Sequence, residues 1–324
     1  MSTVIIGSGN WGATLVGLVN SDQPIRLWCE SQKHVDEARE TLKHVAGADR
    51  RQTTVEVSFS SPLTADDVVL LVVPSSAIVT IARRIREHVQ GPCPPIVTAS
   101  KGLERATFRT MSQVIAAEIP EATVAVLSGP TIAREIAGGQ PAKAVLGCED
   151  VHVLLKLARA LGSERLHLDM TRDKVDIELC AAMKGVFAIG SGVIAGRKYG
   201  CNYLGLLLTY GLREIRDLAE FLRISSTHVF GVAGLGDLVA TCFSSDSRNY
   251  RLGELLATGV ELDEALQRVQ MVVEGAMTAT AVSEMAALRL RVPLFAAIAR
   301  IVENPTEEAF AHFESVLLEY PGER

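Results

Sequence analysis

The chain has 324 residues, of which 48% are hydrophobic and 22% are charged. These proportions are typical of a soluble globular protein and exclude a disordered tail, a collagen-like fibre and a cysteine-dense secreted scaffold. The 32 Lys and Arg residues against 38 Asp and Glu residues leave a net charge of −6, which disfavours a nucleic-acid-binding protein, and the length favours two domains.

Short apolar runs alternate with helical patterns in the first half of the chain. We predict strands at residues 3–6, 25–29, 55–59, 68–73, 96–99 and 124–127. Helices are predicted directly after Gly12, at residues 32–45 and at residues 78–89. Strands that are apolar on both faces are typical of a parallel sheet covered by helices on each side. The pattern therefore predicts an α/β fold with an N-terminal Rossmann-type, doubly wound sheet.

The pattern changes after about residue 170, where strand signals almost disappear. Residues 177–195 are apolar nearly all round apart from Glu178 and Lys184, as in a helix that lies in a core. Residues 204–222 and 276–290 also have helical spacing. We place a domain boundary near residue 172, with a dinucleotide-binding domain at 1–172 and an all-helical substrate and catalytic domain at 173–324.

The six cysteines are scattered, with no C-x-x-C pair and no tight Cys/His cluster. The sequence thus predicts reduced thiols in a cytoplasmic protein, with neither a disulfide framework nor a metal site. The first residues lack the basic segment of a signal peptide, and the apolar run at 68–73 is far shorter than the ~20 residues that span a bilayer. We therefore expect no membrane insertion.

The most informative loop is the G-x-G-x-x-G motif formed by Gly7, Gly9 and Gly12 between the first strand and the first helix. The first glycine permits a tight turn, the second allows a pyrophosphate to approach the backbone, and the third allows close helix–strand packing. The helix start then offers N–H groups and a partial positive charge to phosphates. The motif predicts dinucleotide binding; the alternative is an ordinary glycine-rich turn.

An acidic residue, Glu30, follows the second strand at about the spacing expected of a ribose-binding carboxylate. Its carboxylate can accept a hydrogen bond from a ribose 2′-hydroxyl and would repel a 2′-phosphate. This favours NAD over NADP, unless Glu30 is simply solvated beside Arg26 or Lys33.

Three further segments carry candidate chemistry. Lys184 lies inside an apolar helical pattern, where an ammonium is costly unless it is paired, so it is a candidate general acid and base or a structural, salt-bridged lysine. Lys101 follows a predicted parallel strand and is either directed to the ligand crevice or solvated. Arg248 and Asn249 combine a planar fork with an amide donor and suit a phosphate, although such a dipeptide is more often surface loop.

Taken together, these motifs resemble the NAD(P)-dependent glycerol-3-phosphate dehydrogenase family. The resemblance runs in family order from residue 4 to about residue 290. It rests on residues 7–12, 27–28, 73–75, 100–104, 128–131, 181–184, 231–238, 241–242, 247–249 and 273–275.

The resemblance implies a hydride transfer between NAD(H) and C2 of sn-glycerol 3-phosphate or dihydroxyacetone phosphate, as in glycerol phosphate metabolism and phospholipid biosynthesis. Catalytic roles are implied for Lys184, the proton donor and acceptor, and for Lys101 and Asp237. Substrate contacts are implied for Gly129, Thr131, Thr241, Ser247, Arg248 and Asn249. Cofactor contacts are implied for Gly7, Gly9, Asn10, Trp11, Gly12, Glu30, Lys101, Ala133, Arg248, Val272 and Glu274. Apart from the resemblance, the apolar character of the helical domain favours a homodimer, and the proposed chemistry needs no metal.

Three positions depart from the family pattern: Gly185 replaces an Asn, Leu204 replaces a basic residue, and Tyr210 replaces an Arg. Losing an amide donor at Gly185 would suit a bulkier substrate or one that lacks the matching hydroxyl. The sequence is therefore compatible with a glycerol-3-phosphate dehydrogenase or with a dehydrogenase of a related phosphorylated or phosphonate hydroxy compound. A catalytically weak nucleotide-binding regulator on the same fold is a third possibility, disfavoured by the two retained lysines.

Overall fold

Ten strands lie within residues 2–20, 22–105, 107–270, 272–286 and 290–320, the part of the chain that this computed structural model describes. They are β1 (Thr3–Ile6), β2 (Ile25–Cys29), β3 (Thr53–Val57), β4 (Leu63–Thr64), β5 (Val68–Leu71), β6 (Val89–Gln90), β7 (Ile96–Thr98), β8 (Val124–Ser128), β9 (Ala142–Gly147) and β10 (Leu166–Thr171).

Eight of these strands form one sheet in the order β10-β9-β8-β7-β5-β1-β2-β3, while β4 and β6 pair separately. Neighbours in the large sheet are parallel except β8 and β9, which are antiparallel. Alternate residues of β1 supply two different cores, Ile5 to one and Val4 and Ile6 to the other. Apolar side chains thus cover both faces, which confirms the predicted doubly wound α/β fold.

The helices of the same described residues alternate with the strands up to β10 and then follow one another. They are α1 (Asn10–Leu18), α2 (Gln32–Leu42), α3 (Ile78–His88), α4 (Met111–Glu118), α5 (Ala133–Ala137), α6 (Val151–Leu161), α7 (Lys174–Gly196), α8 (Cys201–Phe221), α9 (Asp237–Cys242), α10 (Arg248–Leu256), α11 (Leu262–Val269), α12 (Glu274–Ala286), α13 (Pro293–Glu303) and α14 (Glu307–Leu318).

Backbone proximity divides the chain into two units. Unit 1 comprises residues 1–104 and 109–178, and unit 2 comprises residues 105–108 and 179–324. The division falls inside α7, so the first turn of this helix belongs to unit 1 and the remainder to unit 2. The boundary near residue 172, which the sequence suggests, stays a prediction.

Helix α7 is 23 residues long and apolar enough to pass a membrane-span test based on length and composition. However, 89% of its most apolar window is buried inside the protein. This burial is what the nearly all-round apolar pattern predicts for a helix in the core of unit 2.

Some element bounds differ from those expected from sequence. The third strand is β3 at Thr53–Val57 instead of residues 55–59, because Phe59 turns back at φ 65° and packs its ring 5.0 Å from that of Trp28. Helix α2 ends at Leu42 instead of residue 45. The helix predicted at 276–290 corresponds to α12, which begins at Glu274, and residues 287–289 lie outside the described residues.

Candidate active site

The loop between β1 and α1, residues 7–12, is hereafter the glycine loop. Gly7 has φ +114°, and a Cβ there would overlap the Val72 carbonyl oxygen. A Cβ on Gly12 would overlap the Gly7 carbonyl oxygen, whereas no described heavy atom lies within 4 Å of a Cβ placed on Gly9. Two glycines therefore permit tight packing, and the third leaves the backbone open to a ligand.

The start of α1 fits a dinucleotide pyrophosphate. Among the described residues, no side chain caps this helix, whose N-cap is Gly9. Asn10 and Trp11, two of the predicted cofactor contacts, lie in the first turn, where Asn10 is exposed and Trp11 is half-buried. An uncapped helix start with an accessible glycine backbone presents N–H donors and partial positive charge to an anion. The residues present thus fit NAD.

Two other predicted residues follow parallel strands of the same sheet. Glu30 comes directly after β2 and is exposed, and Lys101 follows β7 and is half-buried. The Ser100 hydroxyl donates to the Val73 carbonyl oxygen at 2.6 Å, which ties the loop after β7 to the loop after β5. Because carboxyl ends of parallel strands meet at one edge, these loops and the glycine loop lie along the same edge of the sheet.

The loop after β8 belongs to this edge as well. Gly129 has φ +149°, and a Cβ there would lie 2.9 Å from the Cα of Ala144. Thr131 Oγ1 donates to the Gly129 carbonyl oxygen at 3.2 Å. Ala133 begins α5, and its carbonyl oxygen accepts a hydrogen bond from Thr14 Oγ1 of α1 at 3.4 Å. The substrate and cofactor residues predicted in this loop are therefore held beside the helix that the glycine loop starts.

In unit 2, Lys184 forms a buried ion pair with Asp237. Lys184 is 6% exposed on α7 and Asp237 is 2% exposed at the first position of α9, which follows a π-helical turn at Val232–Gly236. Thr241, one turn further along α9, donates to the Asp237 backbone oxygen at 2.6 Å. Removing both charges from water is costly, so the ion pair need not stabilise the fold. A buried pair of this kind marks a candidate catalytic site.

A thiol lies near this pair but does not resemble a nucleophile. Burial raises the pKa of Cys242 well above its ordinary value, and the Lys184 charge offsets only part of the increase. Its backbone oxygen accepts a hydrogen bond from Ser191 at 2.7 Å. Cys242 is thus a packing residue, because only a thiolate would be reactive.

The segment Ser247–Asn249 starts α10 and makes contact with the residues that lead into α12. The Ser247 hydroxyl accepts from the Tyr250 N–H at 3.3 Å and caps the helix. Arg248 Nη1 donates to the Val272 carbonyl oxygen at 2.9 Å, and Asn249 Oδ1 accepts from the Gly275 N–H at 3.0 Å. Both predicted anion-binding residues are therefore oriented by one short segment.

That segment contains two of the predicted cofactor contacts. Val272 is 43% exposed, and Glu274 is the first residue of α12. We call the group formed by Lys184, Asp237, Thr241, Arg248 and Asn249 the lysine site. It is assembled from α7, α9 and α10, and all its members lie in unit 2.

The position beside Gly185 is tightly packed. A Cβ on Gly185 would lie 3.0 Å from Asn249 Nδ2 and 3.1 Å from the Gly275 Cα. The expectation that Gly185 leaves room for a bulkier substrate stays a prediction.

The other two departures differ in environment. Tyr210 stacks on Tyr320, with ring centroids 4.1 Å apart and planes at 7°, so it serves packing. Leu204 is half-buried on α8.

Two buried carboxylates carry roles that sequence reasoning missed. Glu178 accepts from the Ser112 N–H at 2.8 Å and the Ser112 hydroxyl at 2.5 Å, and burial raises its pKa. Glu214 accepts from the N–H groups of Leu294 and Phe295 at the start of α13, at 2.6 and 2.8 Å. The signal was available, since each is an acidic residue inside an apolar helical pattern.

The described residues contain no group of three His, Cys, Asp or Glu side chains placed to hold a metal ion.

Comparison with family models covers most of the chain. Residues 2–154 match the model described as the NAD-dependent glycerol-3-phosphate dehydrogenase N-terminus. Residues 173–310 match the model described as the C-terminus of the same family.

Individual proteins agree with these models. The chain is 32% identical to glycerol-3-phosphate dehydrogenase (NAD(P)+) of Enterococcus faecalis, over 97% of this chain and 94% of that protein. It is 34% identical to the Rhodospirillum rubrum protein of the same name, over 97% and 91%. The crystal structure of glycerol-3-phosphate dehydrogenase from Coxiella burnetii superposes with a TM-score of 0.86 at 27% identity, covering 98% of each chain.

Proposed function

Because the chain belongs to the NAD-dependent glycerol-3-phosphate dehydrogenase family, as its sequence motifs predicted, we propose that it interconverts sn-glycerol 3-phosphate and dihydroxyacetone phosphate with NAD(H). The observation that carries the proposal is the buried Lys184–Asp237 pair, in the same unit as an arginine and an asparagine suited to a phosphate. Such an enzyme supplies glycerol phosphate for phospholipid biosynthesis.

The glycine loop is the proposed pyrophosphate site. Its open Gly9 backbone and the start of α1 bind the two phosphates, and Glu30 accepts from the adenosine ribose hydroxyls. NADH, when bound, supplies the hydride, and NAD+ accepts it in the reverse direction. Glu30 favours NAD, because a carboxylate repels the extra phosphate of NADP.

Lys184 is the proposed proton donor. As an ammonium it hydrogen-bonds the carbonyl oxygen of dihydroxyacetone phosphate and donates a proton as the alcohol forms. In the opposite direction its neutral amine removes the hydroxyl proton. Asp237 contacts Lys184 directly and orients its amine. The Thr241 hydroxyl, one turn further along α9, donates a hydrogen bond to the Asp237 backbone oxygen.

Lys101 is proposed to act from unit 1. It follows β7 on the edge that carries the glycine loop, which suits a cation near the nicotinamide and the substrate. Its positive charge would stabilise negative charge that develops on the substrate oxygen during hydride transfer.

Arg248 and Asn249 are the proposed phosphate-binding residues. Arginine has five N–H donors, and the bond from Nη1 to Val272 fixes the plane in which they lie. A phosphate held there positions the reacting carbon, so that binding energy remote from the carbonyl favours hydride transfer. Gly129, Thr131 and Ser247 are proposed as further substrate contacts, and Ala133, Val272 and Glu274 as further cofactor contacts.

Turnover tests the proposal directly. Purified protein, NADH and dihydroxyacetone phosphate should give a fall in reduced-cofactor absorbance, and Arg248→Ala should raise KM by roughly tenfold or more while changing kcat less. A panel that adds phosphonate and larger phospho-ketone analogues addresses the alternative substrates. Cofactor binding without turnover of any member of the panel would indicate a regulator instead.

We also propose a cytoplasmic homodimer. Large apolar side chains remain exposed in unit 2, among them Phe230 at 62% and Phe243 at 59%. Exposed aromatic residues are enriched at subunit interfaces. Light scattering on the purified protein gives the mass in solution, and a mass of 34.8 kDa would contradict the dimer.

A further inference from the structure

The loop that carries Lys101 is held on both sides. Before it, the Ser100 hydroxyl donates to the Val73 carbonyl oxygen at 2.6 Å. After it, Leu103 pairs with Thr110 in an antiparallel bridge, directly before α4 begins. Lys101 therefore lies between two fixed points of unit 1, and the second of these points is the start of α4.

Two further contacts close the same end of this loop. The Glu104 N–H donates to the Arg109 carbonyl oxygen at 2.9 Å. The Arg109 guanidinium donates from Nε and Nη2 to one oxygen of the Glu104 carboxylate, at 3.0 and 2.8 Å. Residues 103–104 and 109–110 thus form a short ladder. A shift at the start of α4 is therefore passed on to the residues beside Lys101.

The start of α4 is held in turn by Glu178, in the first turns of α7. Thr110 is the N-cap of α4 and forms a capping box with Gln113. Ser112, in the first turn of α4, donates its N–H to Glu178 Oε1 at 2.8 Å and its hydroxyl to Oε2 at 2.5 Å. The first N–H groups of a helix have no partner within that helix. The Glu178 carboxylate supplies an acceptor for one of them.

These groups are buried in unit 1. Glu178 and Ser112 are 0% exposed and Thr110 is 1% exposed, so bulk water cannot replace the carboxylate as acceptor. Burying a carboxylate is costly even when it is hydrogen-bonded, whereas a satisfied buried polar network specifies one arrangement of the elements that it joins. The contacts of Glu178 therefore suit a role in fixing the position of α4.

We propose that Glu178 is a positioning residue for the reaction. By holding Ser112 it fixes the start of α4, and the bridge that precedes α4 then fixes the loop that places Lys101. The proposal rests on the function proposed above, in which the Lys101 charge stabilises negative charge that develops on the substrate oxygen. Glu178 touches neither substrate nor coenzyme and acts only through Lys101. Its loss should therefore lower kcat more than it raises KM.

Glu178→Ala tests the proposal against a matched control. It should lower kcat for dihydroxyacetone phosphate by roughly tenfold, raise KM less, and leave the NADH Kd within about twofold. Glu214→Ala removes another buried carboxylate that accepts from the start of a helix, α13. It should also lower the melting temperature but leave kcat within about twofold. Equal losses of kcat in the two variants would overturn the proposal, because general destabilisation would then explain both.

A double-mutant cycle tests whether Glu178 acts through Lys101. In a Lys101→Ala protein, adding Glu178→Ala should lower kcat by less than about twofold further. Ser112→Ala repeats the cycle with a milder change, since it keeps the N–H bond to Glu178 and is expected to fold. It should lower kcat in the wild-type background but not after Lys101→Ala. Multiplicative effects in either cycle would contradict action through Lys101.

Glu178→Gln tests whether hydrogen-bond geometry is what matters. The amide oxygen can accept from the Ser112 N–H, and the amide NH2 can donate to the Ser112 hydroxyl, which also accepts. The kcat of this variant should therefore lie within about threefold of the wild-type value. A kcat as low as that of Glu178→Ala would rule out positioning by these bonds.

Two kinds of failure can be told apart. If the wild-type protein does not reduce dihydroxyacetone phosphate at all, the proposed function has failed. If the wild type is active and the cycles are multiplicative, the positioning role of Glu178 alone has failed.

Discussion

The glycine loop and the lysine site solve opposite physical problems. The glycine loop, in unit 1, is made of backbone: its specificity comes from missing Cβ atoms, and its attraction for anions comes from N–H groups at the start of α1. The lysine site, in unit 2, is made of charged and polar side chains, of which Lys184 and Asp237 are buried, Thr241 and Asn249 are half-buried, and Arg248 is exposed. The glycine loop can be recognised from six consecutive residues of the sequence. The lysine site, by contrast, forms only when α7, α9 and α10 pack together.

This difference indicates which unit binds the coenzyme and which unit transfers the proton in the proposed reaction. Backbone donors cannot change protonation state, so they suit a ligand that is held without being altered. A buried amine can exchange a proton, and its cost in desolvation is offset by a partner such as Asp237. Binding of the coenzyme and transfer of the proton should therefore be separable by substitution.

The largest expected effect is on Lys184. Lys184→Ala removes the proposed proton donor, so kcat should fall roughly 1,000-fold, in the range typical of a lost general acid. The NADH Kd, measured by fluorescence titration, should stay within about twofold, because the glycine loop is untouched. Turnover close to the wild-type rate would remove Lys184 from the proposed role.

The converse substitution is Gly9→Ala. No described atom obstructs a methyl group there, so the melting temperature should be unchanged. NADH affinity should nevertheless fall by roughly tenfold or more, about 1.4 kcal/mol, because the methyl group occupies the path of the pyrophosphate. Gly205→Ala on α8, also with no described neighbour within 4 Å of the new Cβ, is the control: it should leave NADH affinity unchanged, while alanine in place of an exposed helix-interior glycine should raise the melting temperature slightly. Unchanged NADH binding in Gly9→Ala would place the pyrophosphate elsewhere.

A smaller effect is expected at Glu30. Glu30→Gln should shift the ratio of kcat/KM with NADH to kcat/KM with NADPH by roughly tenfold in favour of NADPH. The reason is that the carboxylate that repels the 2′-phosphate is lost. Glu37→Gln on α2 removes an exposed carboxylate that pairs with Lys33 and should leave the ratio unchanged. An unaltered ratio in both variants would mean that Glu30 does not select the cofactor.

The last prediction concerns stability instead of activity: a pH dependence of stability in unit 2. Burial raises the pKa of Glu214 to about 8, an increase that the N–H groups of Leu294 and Phe295 only partly offset. The folded protein then retains a proton that the unfolded chain releases at lower pH, so this group's contribution to stability falls as pH rises from about 5 to 8. The melting temperature of Glu214→Gln, minus that of the wild type, should increase over this interval. Exposed Glu319→Gln should show a flat difference, and a flat difference for Glu214→Gln would contradict the prediction.

Much of unit 1 could be predicted from sequence because its signals are local. Continuous apolar runs such as 68–71 indicated buried strands, and the glycine spacing indicated a ligand. Strands β9 and β10 were missed, since β9 adds antiparallel to β8 and β10 carries the mixed sequence LHLDMT, neither of which matches a buried parallel strand. The family, the enzyme class and NAD(P) use were predicted and are confirmed.

Less of the lysine site could be predicted without the family resemblance. An isolated Lys184 in an apolar helix suggested chemistry, but its partner Asp237 lies on α9, and periodicity alone does not indicate which helices touch. Gly185 is a second case, since the Asn249 amide that lies 3.0 Å from a Cβ placed there comes from α10. Distant contacts of this kind depend on tertiary structure, which one-dimensional patterns do not record.

The position of Glu178 matters for anyone who dissects this protein into fragments. A polypeptide truncated after residue 172 would lack the carboxylate that accepts from both the N–H and the hydroxyl of Ser112 at the start of α4. Those donors would lose this partner, and a buried donor without a partner costs about 1–3 kcal/mol. A nucleotide-binding fragment should therefore extend through the first turn of α7. In a fragment that begins at residue 173, Glu178 would lack its hydrogen-bond donors on Ser112.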